Sequence, residues 1–320
     1  MTRWMFHLLL AALAVATLHL LLPLGPILEL RNSPETARLL LTELRLPRTL
    51  LTLGYGAVLG MTGAALQALF ANPLASPDIT GSSSGGALGA VFASYWLGLS
   101  SPLALAASGA VGSLLALVIV ITLAGRRSDS AVLLLAGLAV ALAAGAVTSL
   151  LLALAPSPFA FYDSFEWLMG SFLDRSIGQA AVALIPAAIC CGLLLKRTHP
   201  LDLLGLGEDV MASMGYEPRR LAIEVVLLCS IAVGACVSVC GSIGFVGLIA
   251  PYAARLLTRG HPGKALAPAA TIGAILLTVA DLGVRFGPAG RTIPVGVLTT
   301  VVGAPLFIWI IVGMRRRLTA

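Results

Sequence analysis

The sequence predicts an all-α membrane protein in which ten transmembrane helices form two inverted halves of five helices each. The first observation is composition: the 320 residues are 58% hydrophobic and only 11% charged, with a mean hydropathy of +1.00. A soluble domain carries about 25% charged residues, so this chain lacks the charge to cover a water-facing surface. The second observation is that apolar windows recur along the whole chain, which predicts one polytopic domain over residues 1–320 and excludes soluble enzymes and disulfide scaffolds.

The ten apolar windows are each close to the roughly 20 residues that cross a bilayer. The eighth is short and contains Pro251. The first follows Arg3 in the manner of a signal peptide, but its apolar stretch is long for one, so we predict a helix. The windows lie approximately at residues 6–28, 49–70, 81–99, 103–124, 131–155, 179–195, 221–240, 243–258, 266–280 and 294–313.

The charged residues orient these crossings. If the N-terminus is cytoplasmic, ten crossings return the C-terminus to the cytoplasm, and 13 of the 20 Lys and Arg residues then lie inside. The 14 acidic residues divide equally, 7 and 7, so the whole net charge of +6 lies on the inner side. This is the bias of the positive-inside rule. It accounts for the basic character of the chain without a nucleic-acid partner.

A faint internal repeat supports two inverted halves. Pro-Arg pairs begin the second span at 47–48 and the seventh at 218–219, and Gly63 and Gly234 follow at the same offset. Because five spans separate the two, the halves would have opposite membrane orientation, as in many transporters.

Glycine is abundant, with 34 residues in the chain. In lipid, small residues let helix backbones approach each other and pack by dispersion. We therefore expect close helix packing along one face of the second span. The residues on that face are Gly56, Gly60 and Gly63.

The sequence offers little for catalysis or metal binding. The string Gly81–Gly86 resembles a nucleophile loop, but no histidine is placed to serve as its base, and a capping turn is the favoured interpretation. No GxxxxGK[ST] string is present, so ATP hydrolysis is assigned to another chain. The five cysteines lie in apolar runs without CxxC spacing and are predicted to be buried hydrophobes.

An ion-coupled secondary transporter is the main alternative function. Such a protein keeps charged residues inside the membrane, and the candidate coupling residue is Asp281, at the end of the ninth apolar window. It lies one turn before Arg285, where a local pair or a cap is the favoured role. A membrane-embedded lipid enzyme would need a polar catalytic cluster, and none is visible. The sequence therefore favours transport that another subunit drives.

Two polar features resemble docking surfaces. On the outside, Arg45 and Arg48 flank Pro47, and Arg285 ends the ninth span. Arginines can pair bidentately with carboxylates on a soluble partner, and anchoring of the helix ends at the interface is the alternative.

The second docking feature is the longest inner loop, at about residues 199–218. Two short helical pieces fit there, at 201–204 and 208–214, with glycines as breaks. Their Leu and Met side chains, expected to be exposed, suit a groove on a partner protein. Packing under the bundle is the alternative.

Several strings, taken together, resemble the permease subunits of type II ABC importers for ferric siderophores, haem and cobalamin. They occur in the family's order from residue 44 to residue 305. Each string alone is common, whereas the set is specific. Besides the arginines and the inner loop, the residues that carry the resemblance are Gln67, Asn72, Pro73, Pro77, Gly81, Trp167, Gly170, Gly244, Phe245, Gly247, Pro251, Arg255, Asp281, Pro294, Gly296, Gly303 and Pro305.

The resemblance implies the type II importer permease fold in a bacterial inner membrane, with both termini cytoplasmic. This chain would bind no cofactor and would pair with a second copy or a sister permease around a central path. Two cytoplasmic ABC ATPase subunits would bind ATP and Mg. A periplasmic binding protein would deliver the substrate, and no metal site or nucleic-acid partner is implied in this chain.

The resemblance also implies roles by position. Arg45, Arg48 and Arg285 would meet acidic residues of the binding protein, and the path would be lined by the fifth, eighth and tenth spans. The inner gate would comprise Ser128, Asp129 and Ser130. The coupling helices seated on the ATPase would span residues 203–215 and would use Leu203, Leu204, Leu206, Gly207, Glu208, Asp209, Met214 and Gly215.

Overall fold

The computed structural model describes residues 3–24, 33–78, 80–125, 130–155, 157–287 and 293–318 of the chain. Within these ranges the chain is helical and contains no strand. The helices are α1 (Arg3–Leu21), α2 (Pro34–Leu69), α3 (Ser82–Tyr95), α4 (Pro102–Ala124), α5 (Ser130–Ala153), α6 (Pro158–Leu168), α7 (Ile177–Leu195), α8 (Thr198–Leu204), α9 (Glu208–Ser213), α10 (Pro218–Cys240), α11 (Val246–Leu257), α12 (Leu266–Arg285) and α13 (Val295–Leu318).

Each of the ten predicted windows coincides with one of these helices, so the prediction of ten crossings is confirmed. Seven of the described helices are long and apolar enough to cross a membrane by length and composition alone. The windows at α3 and α11 contain helices of only 14 and 12 residues. Non-helical residues take up the rest of each window, mainly residues 96–99 after α3 and 243–245 before α11.

The second span extends further than its apolar window. The helix begins at Pro34, and a π-helical segment, Leu40–Arg45, joins its charged outer part to the apolar Leu46–Leu69. The apolar window starts only at residue 49 because the charged side chains between residues 35 and 48 lower the local hydropathy. A helix can continue beyond the bilayer because its backbone hydrogen bonds are internal.

Local sequence signals explain several helix starts. Ser101 precedes Pro102 of α4, and its side chain accepts a hydrogen bond from the Ala104 N–H at 3.2 Å. Ser176 and Gln179 form a reciprocal capping box at the start of α7. Such caps satisfy N–H groups that have no partner inside the helix.

The packing of the helices repeats between the halves. The second span, α2, packs along the ninth, α12, and the seventh span, α10, packs along the fourth, α4. The second and seventh spans are five apart, and so are the fourth and ninth, so the two pairs are equivalent in a repeat of five spans. Two core clusters of buried side chains lie along α2, one toward its outer half and one toward its inner half. This arrangement agrees with two inverted halves.

The glycine face of α2 contacts neighbouring backbones directly, as expected. A Cβ atom on Gly56 would lie 2.4 Å from the Gly273 carbonyl oxygen, and one on Gly60 would lie 2.0 Å from that of Ala269. One on Gly63 would lie 1.9 Å from the Gly247 carbonyl oxygen. Any side chain at these positions must push helices apart.

We predict that Gly60→Leu prevents normal packing of α2 against α12, because the new side chain overlaps a backbone carbonyl that cannot rotate away. Overpacking in a close-packed interior costs about 1–3 kcal/mol or more. Gly145→Leu on the exposed face of α5 is the matched control, since nothing lies within 4 Å of its Cβ position. The measurement is the thermal midpoint in detergent, and equal midpoints for the two variants would contradict the prediction.

Candidate functional site

A buried cluster of ionisable side chains lies at those ends of α1, α2 and α12 that the sequence analysis predicts to face outward. Asp281 is its centre and is 1% exposed. Arg48 donates to both carboxylate oxygens of Asp281, at 2.7 and 2.9 Å. The Nε2 atom of His19, which is fully buried, lies 2.8 Å from Asp281 Oδ2. We name His19, Arg45, Arg48, Asp281 and Arg285 the outer cluster.

The other two arginines of the outer cluster bind backbone carbonyls at the end of α1. Arg285 donates to the carbonyls of His19 and Leu22 at 2.7 and 3.1 Å, and its Nε lies 3.5 Å from Asp281 Oδ2. Arg45 donates to the carbonyls of Leu20, Leu21 and Pro23 at 2.6–3.2 Å. These bonds satisfy helix C-terminal carbonyls that otherwise lack donors.

The expectation that these arginines form an exposed surface is therefore wrong. Arg45 is 7% exposed, and the side chains of Arg48 and Arg285 are 15% and 8% exposed. Their charges are balanced or hydrogen-bonded within the bundle, since a buried charge without a partner is costly. The predicted local pair of Asp281 with Arg285 is present, but Arg48 makes the closer contact. A docking role for the arginines stays a prediction.

His19 is the member of the outer cluster that the sequence did not reveal. Its Nδ1 lies 2.7 Å from the Thr49 hydroxyl, so it bridges α2 and α12. The sequence did contain one signal for this role, namely a polar residue, His19, near the end of the apolar helix α1. The rule that buried ionisable groups have partners would have paired it with Asp281.

A second group of family residues surrounds the break between α10 and α11, which we name the elbow (Gly241–Phe245). Trp167 donates from its indole N–H to the Val239 carbonyl at 3.3 Å, and its own carbonyl is packed against Gly241. Gly170 has a φ of +82° and touches the Ser242 carbonyl. A Cβ on Gly296 would lie 2.3 Å from the Met169 carbonyl oxygen. The segment after α6 thus packs between the end of α10 and the start of α13.

The connection between α2 and α3 contacts the other side of the elbow. Asn72 accepts from the Leu74 N–H at 2.8 Å, which fixes the turn before Pro73. Pro77 packs against the Cα side of Gly247, and Gly81 caps α3 with a φ of +79°. These residues order a non-helical connection inside the bundle.

Asp78 lies in this connection, and the sequence analysis did not single it out. Its carboxyl faces the Ser83 hydroxyl and the backbone N–H of Phe245. Burial raises the pKa of the Asp78 carboxyl to about 6, although both neighbours favour the charged form. Asp78 Oδ1 and Ser83 Oγ are buried and make no hydrogen bond of ordinary geometry with the described residues.

The remaining family residues support the inner half of the bundle or α13. Gln67 is fully buried and reaches the Leu248 carbonyl at 3.5 Å. Pro251 lies inside α11 and Pro305 inside α13, where Gly303 contacts Phe245. Arg255 lies in the last turn of α11, and Pro294 accepts from the N–H groups that follow it.

The inner loop contains the two short helices that were expected, α8 and α9, separated by Gly205–Gly207. One face is buried: Leu201 and Met211 are fully buried and Leu203 is 9% exposed. Leu204 is partly buried against the same inner core. The expectation that Leu203 and Leu204 are exposed is therefore wrong, because this face of α8 packs under the bundle.

The opposite face of the inner loop is exposed and apolar. Leu206, Val210 and Met214 are 68%, 41% and 59% exposed. Glu208 and Asp209 occupy the first turn of α9, where acidic side chains favour the helix dipole. Gly207 and Gly215 have φ values of +113° and +82°, so they shape the turns on either side. The loop is thus fixed to the bundle on one side and open on the other.

Two predicted gate residues, Ser128 and Asp129, lie outside the described residues. Ser130 is the first residue of α5. Among the described residues, no group of three or more His, Cys, Asp or Glu side chains is placed to hold a metal ion.

The comparison with protein families decides the identity of the fold. A family model described as the FecCD transport family matches residues 5–313. The chain belongs to the FecCD transport family. Among curated relatives, the vitamin B12 import system permease protein BtuC of Vibrio cholerae is 36% identical over 316 residues, covering 94% of this chain and 91% of the relative. BtuC of Citrobacter koseri is 35% identical, covering 86% and 83% of the two chains.

Solved structures agree with this membership. One, described as an inward-facing conformation of a metal-chelate type ABC transporter, superposes with a TM-score of 0.82 at 29% identity. It covers 96% of this chain and 97% of its own. PsaBC from Streptococcus pneumoniae shares the fold at a TM-score of 0.57 and 20% identity, covering 82% and 90%. The resemblance noted in the sequence is confirmed: the chain is a multi-pass permease of the ABC importer class.

We predict that Asp281→Ala strongly destabilises the FecCD-family fold of this chain, because Arg48 and Arg285 then remain buried without their carboxylate. Removing one partner of a buried ion pair costs about 3–5 kcal/mol. Glu224→Ala is the matched control. It removes an acid that is 28% exposed and pairs with Arg197 and Arg220, where the loss is about 0–1 kcal/mol. Thermal unfolding in detergent should separate the two variants, and similar shifts would contradict the buried network.

Proposed function

We propose that this chain is the permease of an ATP-driven importer that moves cobalamin or an iron chelate, such as an iron-siderophore complex or haem, from a periplasmic binding protein into the cytoplasm. The observation that carries the proposal is the near full-length similarity to vitamin B12 permeases, at 36% identity over 94% of the chain. The likeness to a metal-chelate type transporter supports the same substrate class. Residues 1–320 would act as one permease domain in an inner membrane with both termini cytoplasmic.

The inner loop supports coupling to a separate ATPase. Its buried face, with Leu201 and Met211, is continuous with the inner core, so a force on the loop reaches the bundle. Its exposed face offers Leu206, Val210 and Met214 to a partner groove. Two ATPase copies, binding ATP and Mg, would contact the loops of two permease chains. ATP-driven closure would then expose the path to alternate sides of the membrane.

The outer cluster weakens the alternative of an ion-coupled secondary transporter. Asp281, the candidate coupling residue at the end of the ninth window, is bound by Arg48, His19 and Arg285. A carboxylate held in this way balances fixed positive charge rather than exchanging a coupling ion. A separate ATPase subunit therefore remains the better explanation for the energy source of transport. Docking of the binding protein would use the outer surface around this cluster.

Transport in proteoliposomes tests the proposed function. Vesicles containing this chain and its ATPase should import cobalamin or a ferric siderophore only when ATP and a loaded binding protein are both present. An ion gradient without ATP should drive no uptake. Uptake that follows the gradient alone would favour the secondary transporter and overturn the proposal.

Another prediction concerns the exposed apolar face of the inner loop, which contains Leu206, Val210 and Met214. Leu206→Asp should weaken association with the ATPase by roughly tenfold, because a charge replaces an exposed apolar side chain on the proposed contact surface. Leu97→Asp is the matched control at the opposite end of the bundle, where Leu97 is 58% exposed. Co-purification and ATPase stimulation measure the effect. Leu204 is unsuitable for this test since it packs against the inner core. Equal behaviour of the two variants would exclude this face.

A further inference from the structure

The elbow holds a strained backbone at a point where three parts of the chain meet. Phe245 has a φ of +66°, a left-handed conformation that costs free energy for a residue with a Cβ. Its carbonyl accepts from the N–H groups of Leu248 and Ile249, so it forms the start of α11. Such a conformation persists only where surrounding contacts maintain it.

One of these contacts is the packing of Phe245 against α13. A Cβ on Gly303 would lie 2.5 Å from Phe245 Cβ, so only glycine fits there. The Phe245 ring also meets Phe307 in an edge-to-face arrangement with centroids 6.4 Å apart. A change in the backbone at Phe245 would therefore displace α13.

The other contact is Asp78. Its carboxyl faces the N–H of Phe245, and its Oδ2 lies 3.7 Å from the Cβ position of Gly244. A carboxyl oxygen is thus the acceptor available to the N–H group of the strained residue. The nearby Ser83 hydroxyl, which is 1% exposed, and Asp78 Oδ1 both lack an ordinary hydrogen bond to the described residues.

We propose that Asp78 is a positioning residue for transport: its carboxyl holds the Phe245 N–H, and through Phe245 it sets the position of α13. The proposal rests on the proposed function and on the expectation, from the family resemblance, that the tenth span, α13, lines the path. Buried polar atoms without partners are costly. Asp78 Oδ1 and Ser83 Oγ have no ordinary hydrogen bond among the described residues, so the Phe245 N–H is the group that orients the carboxyl.

The first measurement is hydrogen exchange at residues 241–249 of the full chain in detergent, which needs no substrate. Asp78→Ala removes the acceptor and should speed exchange at the elbow at least severalfold. Asp78→Asn keeps an acceptor oxygen of the same size and should restore the wild-type rate. Asp174→Ala, which removes an exposed acid in an outer loop, is the control. Unchanged exchange in Asp78→Ala would overturn the proposal.

The second measurement is the number of substrate molecules imported per ATP hydrolysed in proteoliposomes. Asp78→Ala should retain ATP hydrolysis and lose about nine-tenths of import, whereas Asp78→Asn should stay close to wild type. Wild-type coupling in Asp78→Ala, or equal loss in both variants, would overturn the role of the acceptor.

A further variant covers the case in which Asp78→Ala does not fold. Phe245→Leu keeps the backbone contact with Asp78 and removes the ring contact with α13, so it should uncouple import without faster exchange at the elbow. Normal coupling in this variant would overturn the link to α13. If the wild-type chain imports nothing, the proposed function fails, while the exchange experiment still tests the Asp78 contact separately.

Discussion

The antiparallel seam between α2 and α12 sets the position of most polar groups at the outer end. Gly56 meets Gly273, and eight residues further out on each helix Arg48 meets Asp281. The register of the seam therefore brings the two charges together. If the helices moved apart or slipped by one residue, Arg48 would lose its bidentate contact in surroundings of low dielectric constant, where an unpaired charge is costly. Backbone packing and charge pairing thus require each other.

The inverted repeat brings equivalent connections of the two halves into contact. The connection from α2 to α3 follows the second span, and the elbow follows the seventh, so they occupy the same place in their respective halves. They meet where Pro77 packs on Gly247 and Asp78 faces Phe245. Non-helical backbone inside a membrane bundle needs polar partners from protein rather than from lipid. Each connection supplies such partners to the other.

The sequence predicted what depends on local composition and spacing. Hydropathy located all ten crossings, the glycine face of α2 was correctly expected to pack closely, and glycine breaks located α8 and α9. Side-chain direction could not be predicted, because it depends on partners distant in sequence. Arg285 turns toward α1 because the carbonyls of His19 and Leu22 lie there. Leu203 is buried because the inner core lies above α8, and Asp78 was missed since its partner Phe245 is 167 residues away.

The helices differ in how firmly they are held, and α13 is one of the loosely held long helices. The α2–α12 seam and its counterpart, α10 on α4, join helices through direct backbone contact over several turns. In contrast, α13 touches the described chain mainly at α11, α12 and the segment after α6, and Val301, Val302 and Trp309 on it are 61–71% exposed. An apolar face of this kind suits lipid or a second permease chain. A helix with one free face and few fixed contacts can move without breaking the seams, so the contact of Asp78 with Phe245 lies where a small local change has the largest consequence.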